Sequence, residues 1–152
     1  ILIEQSDSMR IYAYEIEKYV MRINSLQDYF DASMALLHPQ VRQELFPAER
    51  PVLTRVRDQV PAKYGLGAIV KNSLVADGCI IEGTVENSII FRGAKIGRGA
   101  VIRDSIIMAG AVIGAGARLE YVVADRDATI RDTRMLVGYK TYPLFIEKKS
   151  VI

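Results

Sequence analysis

The feature that most constrains this chain is a glycine pattern repeating on a 17-residue ruler. Gly93, Gly97 and Gly99 return as Gly110, Gly114 and Gly116. Asn87-Ser88-Ile89-Ile90 returns as Asp104-Ser105-Ile106-Ile107 at the same spacing, and Asn72-Ser73-Leu74-Val75 precedes it by 15 residues. Aliphatic columns follow the ruler: Val75, Ile90, Ile107, Ala124; Ile81, Ile96, Ile113, Ile130; and Val85, Ile102, Leu119, Leu136. Small residues stand two positions before the second column at Cys79, Ala94, Ala111 and Ala128. They also precede the third at Gly83, Ala100 and Ala117, and Arg134 breaks that pattern. Repeated units of this kind cannot bury an apolar face alone and must stack on one another.

Within one repeat the aliphatic positions fall 6, 6 and 5 residues apart, as in Ile90, Ile96, Ile102 and Ile107. That spacing predicts a triangular coil with three short strands per turn and one aliphatic side chain per strand pointing to the axis. Successive turns then stack as parallel strands about 4.7–4.9 Å apart, so that equivalent residues form ladders. About four turns are visible, from Val75 to Leu136.

Composition divides the chain at the same place. All 11 glycines lie between Gly65 and Gly138, whereas four of the 5 prolines precede residue 62. The front part reads as a small α+β segment. Arg10 to Ile23, rich in Tyr, Ile and Val, predicts one or two short strands. Ser25 followed by Asp28 matches a capping box, and Leu26, Tyr29, Phe30, Met34 and Leu37 then follow helical spacing. His38-Pro39 ends that helix, since proline disfavours helical geometry in the residue before it. A second short helix is expected over Gln40 to Phe46, and a strand at Val52-Leu53-Thr54. The organisation expected is an end segment and connector over 1–64, the coil over 65–136, and a cap or tail over 137–152. Ile1, already inside an apolar stretch, suggests a piece of a longer protein.

Charge and chemistry narrow the function. With 20 Lys+Arg against 18 Asp+Glu, the net charge of +2 does not point to nucleic acid. No apolar run reaches the roughly 20 residues needed to span a bilayer, and no signal peptide opens the chain. A cytoplasmic location without membrane contact is the expectation. One cysteine and one histidine cannot assemble a zinc site, and Cys79 sits in a small-residue slot of the coil. The Gly-x-Gly pairs lack the Lys-Ser/Thr of a phosphate loop. Arg92, Lys95, Arg98 and Arg103 crowd one coil with positive charge and form a candidate anion or effector patch, since guanidinium forks suit phosphate. Interleaved Asp104, Glu120, Asp125, Asp127 and Asp132 offset that field.

The hexads Ile96-Gly97-Arg98-Gly99-Ala100-Val101 and Ile113-Gly114-Ala115-Gly116-Ala117-Arg118 resemble the hexapeptide repeats of left-handed parallel β-helices. The resemblance, not the periodicity, implies the left hand. Acyltransferases of this class use a histidine base in or beside the coils and bind acyl-CoA between trimer faces. The only histidine here, His38, lies outside the repeats. Longer stretches point elsewhere. Pro51 to Asp58, Pro61-Ala62-Lys63-Tyr64 and the block Asn72 to Ser88 resemble the carboxy-terminal region of bacterial glucose-1-phosphate adenylyltransferases, which make ADP-glucose from ATP and glucose 1-phosphate with Mg²⁺. Tyr19 to Leu37 resembles the segment closing the nucleotidyltransferase domain in that family.

In catalytic members an aspartate that helps hold the metal precedes this helix. Aligned through the helix, that position is Arg22, and a cation cannot ligate Mg²⁺. With the ending Val137-Gly138-Tyr139-Lys140-Thr141-Tyr142-Pro143, the chain resembles the GlgD-type glycogen biosynthesis proteins, companion subunits of a catalytic adenylyltransferase. The resemblance implies a left-handed β-helix with assembly and regulatory roles. It assigns no catalytic, cofactor or metal residue to this stretch, and ATP and Mg²⁺ belong to the full-length family. It implies a homo-oligomer, or a hetero-oligomer with a catalytic subunit. A hexapeptide acyltransferase and a purely structural oligomerisation module are the alternatives.

Overall fold

The structure, a computed structural model, describes residues 12–54 and 58–152. Two helices precede a solenoid. Helix α1 spans Leu26–Ala35, and α2 spans Pro39–Leu45. Ser25 Oγ accepts from the Asp28 amide at 3.0 Å, and the Asp28 carboxylate accepts from the Asn24 amide at 3.0 Å. The capping box therefore closes one residue further out than its simplest form. The Asn24 amide, and secondarily the Ser25 hydroxyl, hold the Asp28 carboxyl below its ordinary range. Pro39 stands at the first position of α2, where its missing N–H costs no intrahelical bond.

The strands expected over Arg10 to Ile23 do not form in the described part, 12–23, and Arg10 and Ile11 lie outside the described residues. Val52-Leu53-Thr54 is likewise irregular and exposed. A strand needs a neighbour to take its N–H and C=O groups, and none lies beside either stretch among the described residues. A side chain serves instead at Tyr19, whose amide donates to Glu44 Oε2 at 2.9 Å.

From Lys63 the chain winds into three parallel sheets of five strands each, the faces of a triangular prism. The first face is β1 (Lys63–Tyr64), β4 (Ile80–Ile81), β7 (Lys95–Ile96), β10 (Val112–Ile113) and β13 (Thr129–Ile130). The second is β2 (Ile69–Lys71), β5 (Thr84–Glu86), β8 (Val101–Arg103), β11 (Arg118–Glu120) and β14 (Met135–Val137). The third is β3 (Leu74–Val75), β6 (Ile89–Ile90), β9 (Ile106–Ile107), β12 (Val122–Ala124) and β15 (Leu144–Ile146). The columns read from sequence stand in register: Ile81, Ile96, Ile113 and Ile130 pair directly, as do Val85, Ile102, Leu119 and Leu136. Each face gains one rung beyond them, through Tyr64, Val70 and Ile146 respectively.

The axis is filled by these aliphatics and closed at the corners by Cys79, Ala94, Ala111, Ala128, Ala100 and Ala117, all fully buried. Two corners run through tight turns. At Gly97 and Gly114 the chain passes so close to the next coil that a Cβ would fall 2.7 Å from Ala115 N and 2.4 Å from Asp132 N. Only glycine fits there. Each fully buried large aliphatic contributes about 1.5–3 kcal/mol, an upper-bound figure for an extended unfolded reference.

The third face differs from the other two. Its strands are apolar on both sides: Ile90, Ile107 and Ala124 face the axis, while Ile106 and Val123 face outward yet are fully buried. Helix α1 covers them with Phe30, Tyr29 and Met34. Phe30 also lies against Tyr121, ring centroids 6.4 Å apart and tilted by 55°. The front segment is thus anchored on the solenoid.

Candidate functional site

The corner joining the second and third faces takes left-handed backbone on four successive turns. Asn72, Asn87, Asp104 and Tyr121 have φ of 42°, 46°, 42° and 52°. Asn and Asp tolerate this region better than other non-glycine residues, and Tyr121 is the exception in the series. Beneath them runs a column of serines. Ser88 Oγ donates to the Glu86 carbonyl at 2.7 Å and accepts from the Ser105 amide at 3.1 Å. Ser105 Oγ donates to the Arg103 carbonyl at 2.6 Å and accepts from the Val122 amide at 3.0 Å. Ser73 opens the column in the same way. Each hydroxyl supplies the acceptor that the bent backbone cannot, and Ser88 and Ser105 are fully buried in doing so.

Between this corner and the α1–α2 elbow lies a cleft of about 470 Å³. Phe30, Met34 and Leu37 form its apolar wall; Asp31, His38, Asn72, Asn87, Asp104 and Lys140 give the polar one. Asn72 donates to Asn87 Oδ1 at 2.9 Å. Burial, and secondarily the Glu120 carboxylate, pushes the Asp104 carboxyl above its ordinary range. Burial likewise raises the Tyr121 phenol, with Asp104 and Glu120 adding to the shift.

His38 therefore lies outside the coils at the N-cap of α2, as its position predicts, yet it faces the coil corner across the cleft. Its side chain caps nothing and forms no hydrogen bond among the described residues. A general base needs an orienting partner, and none is placed on it here. Cys79 is buried in the core with Sγ 3.1 Å from the Phe91 carbonyl oxygen, and burial pushes its thiol up. That is the setting of an inert core thiol. Arg22 is exposed and bonds Asn24 Oδ1 at 3.2 Å.

The four basic residues of the expected anion patch are strung around one coil. Arg92 lies in the turn before β7, Lys95 in β7, Arg98 in the turn after it, and Arg103 at the end of β8. Arg92 pairs with Asp77 at 3.2 Å, and Arg103 pairs with Glu86 at 3.0 Å, which Lys71 also approaches at 3.8 Å. Among the described residues Lys95 and Arg98 have no such carboxylate. No group of three or more His, Cys, Asp or Glu that could hold a metal occurs among the described residues, and no described helix is long and apolar enough to cross a membrane.

Sequence reasoning missed the seam cleft and the covering of the third face. The doublets Ile89-Ile90, Ile106-Ile107 and Val122-Val123 carry an aliphatic on both sides of a strand. Ile80-Ile81 and Val112-Ile113 do so too on the first face with the outward member exposed, so the doublet alone does not mark the covered face. A one-sided face needs only the inward member.

Comparison with known proteins agrees with this architecture. The chain is 41% identical over 148 residues, 97% of its length, to the glycogen biosynthesis protein GlgD of Bacillus subtilis (strain 168), covering 43% of that protein. It is 52% identical over 71 residues to the GlgD of Geobacillus stearothermophilus, 47% of this chain and 21% of that one. It is 34% identical over 97 residues to the glucose-1-phosphate adenylyltransferase of Fusobacterium nucleatum, 64% of this chain and 25% of that one. The chain thus spans less than half the length of these curated relatives. A family model described as GlmU-like, C-terminal hexapeptide, matches residues 59–142, the connector and almost all of the solenoid. With its hexads wound into the three-faced coil, the chain belongs to this GlmU-like C-terminal hexapeptide family.

Proposed function

We propose that this chain is the assembly and regulatory solenoid of a GlgD-like subunit of the glucose-1-phosphate adenylyltransferase kind, acting in ADP-glucose and glycogen synthesis. One observation carries the reading. Similarity to GlgD runs through the non-repeating segment, α1, α2 and the connector as well as the hexads, at 41% identity over 97% of the chain. Hexad likeness alone would arise in any protein of this fold. The chemistry of such a parent joins ATP to glucose 1-phosphate with Mg²⁺, and this chain supplies none of its residues.

Assembly follows from the solenoid's ends. Among the described residues the last strand of the second face, β14, has no outer neighbour, and its Met135 and Val137 are exposed. On the first face, residues 150–152 partly cover β13, through Thr129 N to the Ser150 carbonyl and Ile152 N to the Thr129 carbonyl. An uncovered edge is a pairing template for another chain. Partner subunits, alike or catalytic, meet the protein through this C-terminal end. Regulation falls to Lys95 and Arg98, which keep their charge available for an anionic effector.

The test has two readouts. Pyrophosphate release from ATP and glucose 1-phosphate should be nil for this chain alone. Sedimentation should show a heavier species when a catalytic adenylyltransferase is added, lost when residues 137–152 are deleted. Turnover by the chain alone, or a mass unchanged by either manipulation, overturns the reading.

A further inference from the structure

We infer that the second face is a side-by-side docking surface for a second copy of this chain, related to the first by a two-fold axis parallel to the solenoid. Each strand of that face turns its first and third residues outward, so two columns run along it. One is Ile69, Thr84, Val101, Arg118 and Met135; the other is Lys71, Glu86, Arg103, Glu120 and Val137. Helix α1 packs on the third face, whereas these outward residues are exposed or half-buried.

Two adjacent rungs select the occupant by charge. Lys71, Glu86 and Arg103 neutralise one another within the chain, Glu86 lying 3.8 Å from Lys71 and 3.0 Å from Arg103. Arg118 and Glu120 join no ion pair among the described residues. They flank the axial Leu119 on β11, so this rung carries an unpaired cation in one column and an unpaired anion in the other. One rung on, Met135 is 69% and Val137 47% exposed. A two-fold axis along the rod sets the first column of each copy against the second column of the other. Arg118 then meets Glu120 of the second copy, and Met135 meets its Val137, each contact being made twice. A groove of about 210 Å³ between the columns, lined by Leu119, takes the two long side chains.

Other arrangements fit worse. With the rods antiparallel about the middle rung, Arg103 faces Arg103 of the second copy and Glu86 faces its Glu120, and like charges brought together are destabilising. Shifting that axis half a rung relieves the clashes but takes Met135 and Val137 off the second copy, or sets them on its Thr84 and Glu86. The first face offers no match, since its outward column of Lys63, Ile80, Lys95, Val112 and Thr129 has two lysines and no carboxylate. The open edge of β14 points along the rod, whereas these side chains stand out from the face, so the pairing leaves the C-terminal end free. It does not depend on the glycogen reading.

Five strands about 4.8 Å apart make a small face, so sedimentation equilibrium is run over about 1–300 µM. The chain should show a monomer–dimer equilibrium. Arg118→Glu and Glu120→Arg should each weaken it roughly tenfold or more by setting like charges together. An equimolar mixture of the two variants should regain the parent's dimer, because both cross-pairs are again opposite in sign. Misfolding cannot produce that recovery, and thermal melts check each variant alone. Recovery confined to the mixture supports the surface. A monomeric parent overturns the proposal, and so does a loss that mixing does not restore. A dimer indifferent to both substitutions overturns it too, and assigns the pairing to the strand edges.

Discussion

Removing one hydroxyl from the middle of the serine column should weaken the whole solenoid. In Ser105→Ala, the Val122 amide loses its only acceptor among the described residues, and Val122 is fully buried. The Arg103 carbonyl loses a donor at the same time. Water cannot replace either easily, because Ser105 is itself fully buried. An orphaned buried donor costs about 1–3 kcal/mol, well above the net worth of the hydrogen bond that is lost. For a domain of this size that corresponds to a fall of roughly 2–4 °C in melting temperature per kcal/mol. The coil is central, so the defect reaches its neighbours on both sides, as expected for stacked repeats. The assay is urea unfolding followed by far-ultraviolet dichroism, with Ser73→Ala as comparison. Ser73 makes equivalent bonds but is only partly buried on the first coil, where water can take over. Ser105→Ala should be clearly the weaker protein. Equal stabilities, or a Ser105→Ala protein indistinguishable from the parent, would refute the claim that the hydroxyl column replaces backbone bonds at this corner.

Two further outcomes follow from the same geometry. Asp104 sits in a ladder whose earlier members are Asn72 and Asn87, and its carboxyl is raised from 3.8 by burial and Glu120. Its folded form holds the proton more tightly than the unfolded chain, so stability falls as pH rises from about 3.8 through the raised value. Asp104→Asn should raise the melting temperature at pH ~7, with the difference shrinking as the pH drops below ~4, in thermal melts across that range. At the corners, Gly114→Ala should cost far more in urea titration than Gly99→Ala. Gly99 has φ of +69° but open space around it, so it carries only the backbone penalty of about 1 kcal/mol, whereas at Gly114 a Cβ meets backbone.

The axial core was legible because one rule governs the central rungs: three inward aliphatics, a small residue beside each corner, glycine where coils touch. Ile96 above Ile113 is the direct product of that rule. The helix over Leu26–Ala35 was legible for a similar reason, since Ser25 and the spacing of Tyr29, Phe30 and Met34 are local signals. The strands expected near Arg10–Ile23 failed because β propensity describes fit to a neighbour, and the sequence does not state whether one exists. The seam cleft was illegible for a topological reason. His38 and Asp104 are 66 positions apart, and only the docking of Phe30 on Ile106 and Val123 sets them across one space. The basic residues that lie close in sequence are spread around one coil's perimeter by the winding, and Arg92 and Arg103 pair there with Asp77 and Glu86.

The two-sided third face has a consequence for how this protein can be divided. A rod released at Lys63, keeping every repeat but losing α1, would present Ile106 and Val123 to water as a bare oily strip along one wall. Such strips drive precipitation or adventitious sticking. The repeats are therefore an incomplete solubility unit, and the shortest well-behaved piece must reach back through the helix that Ser25 initiates.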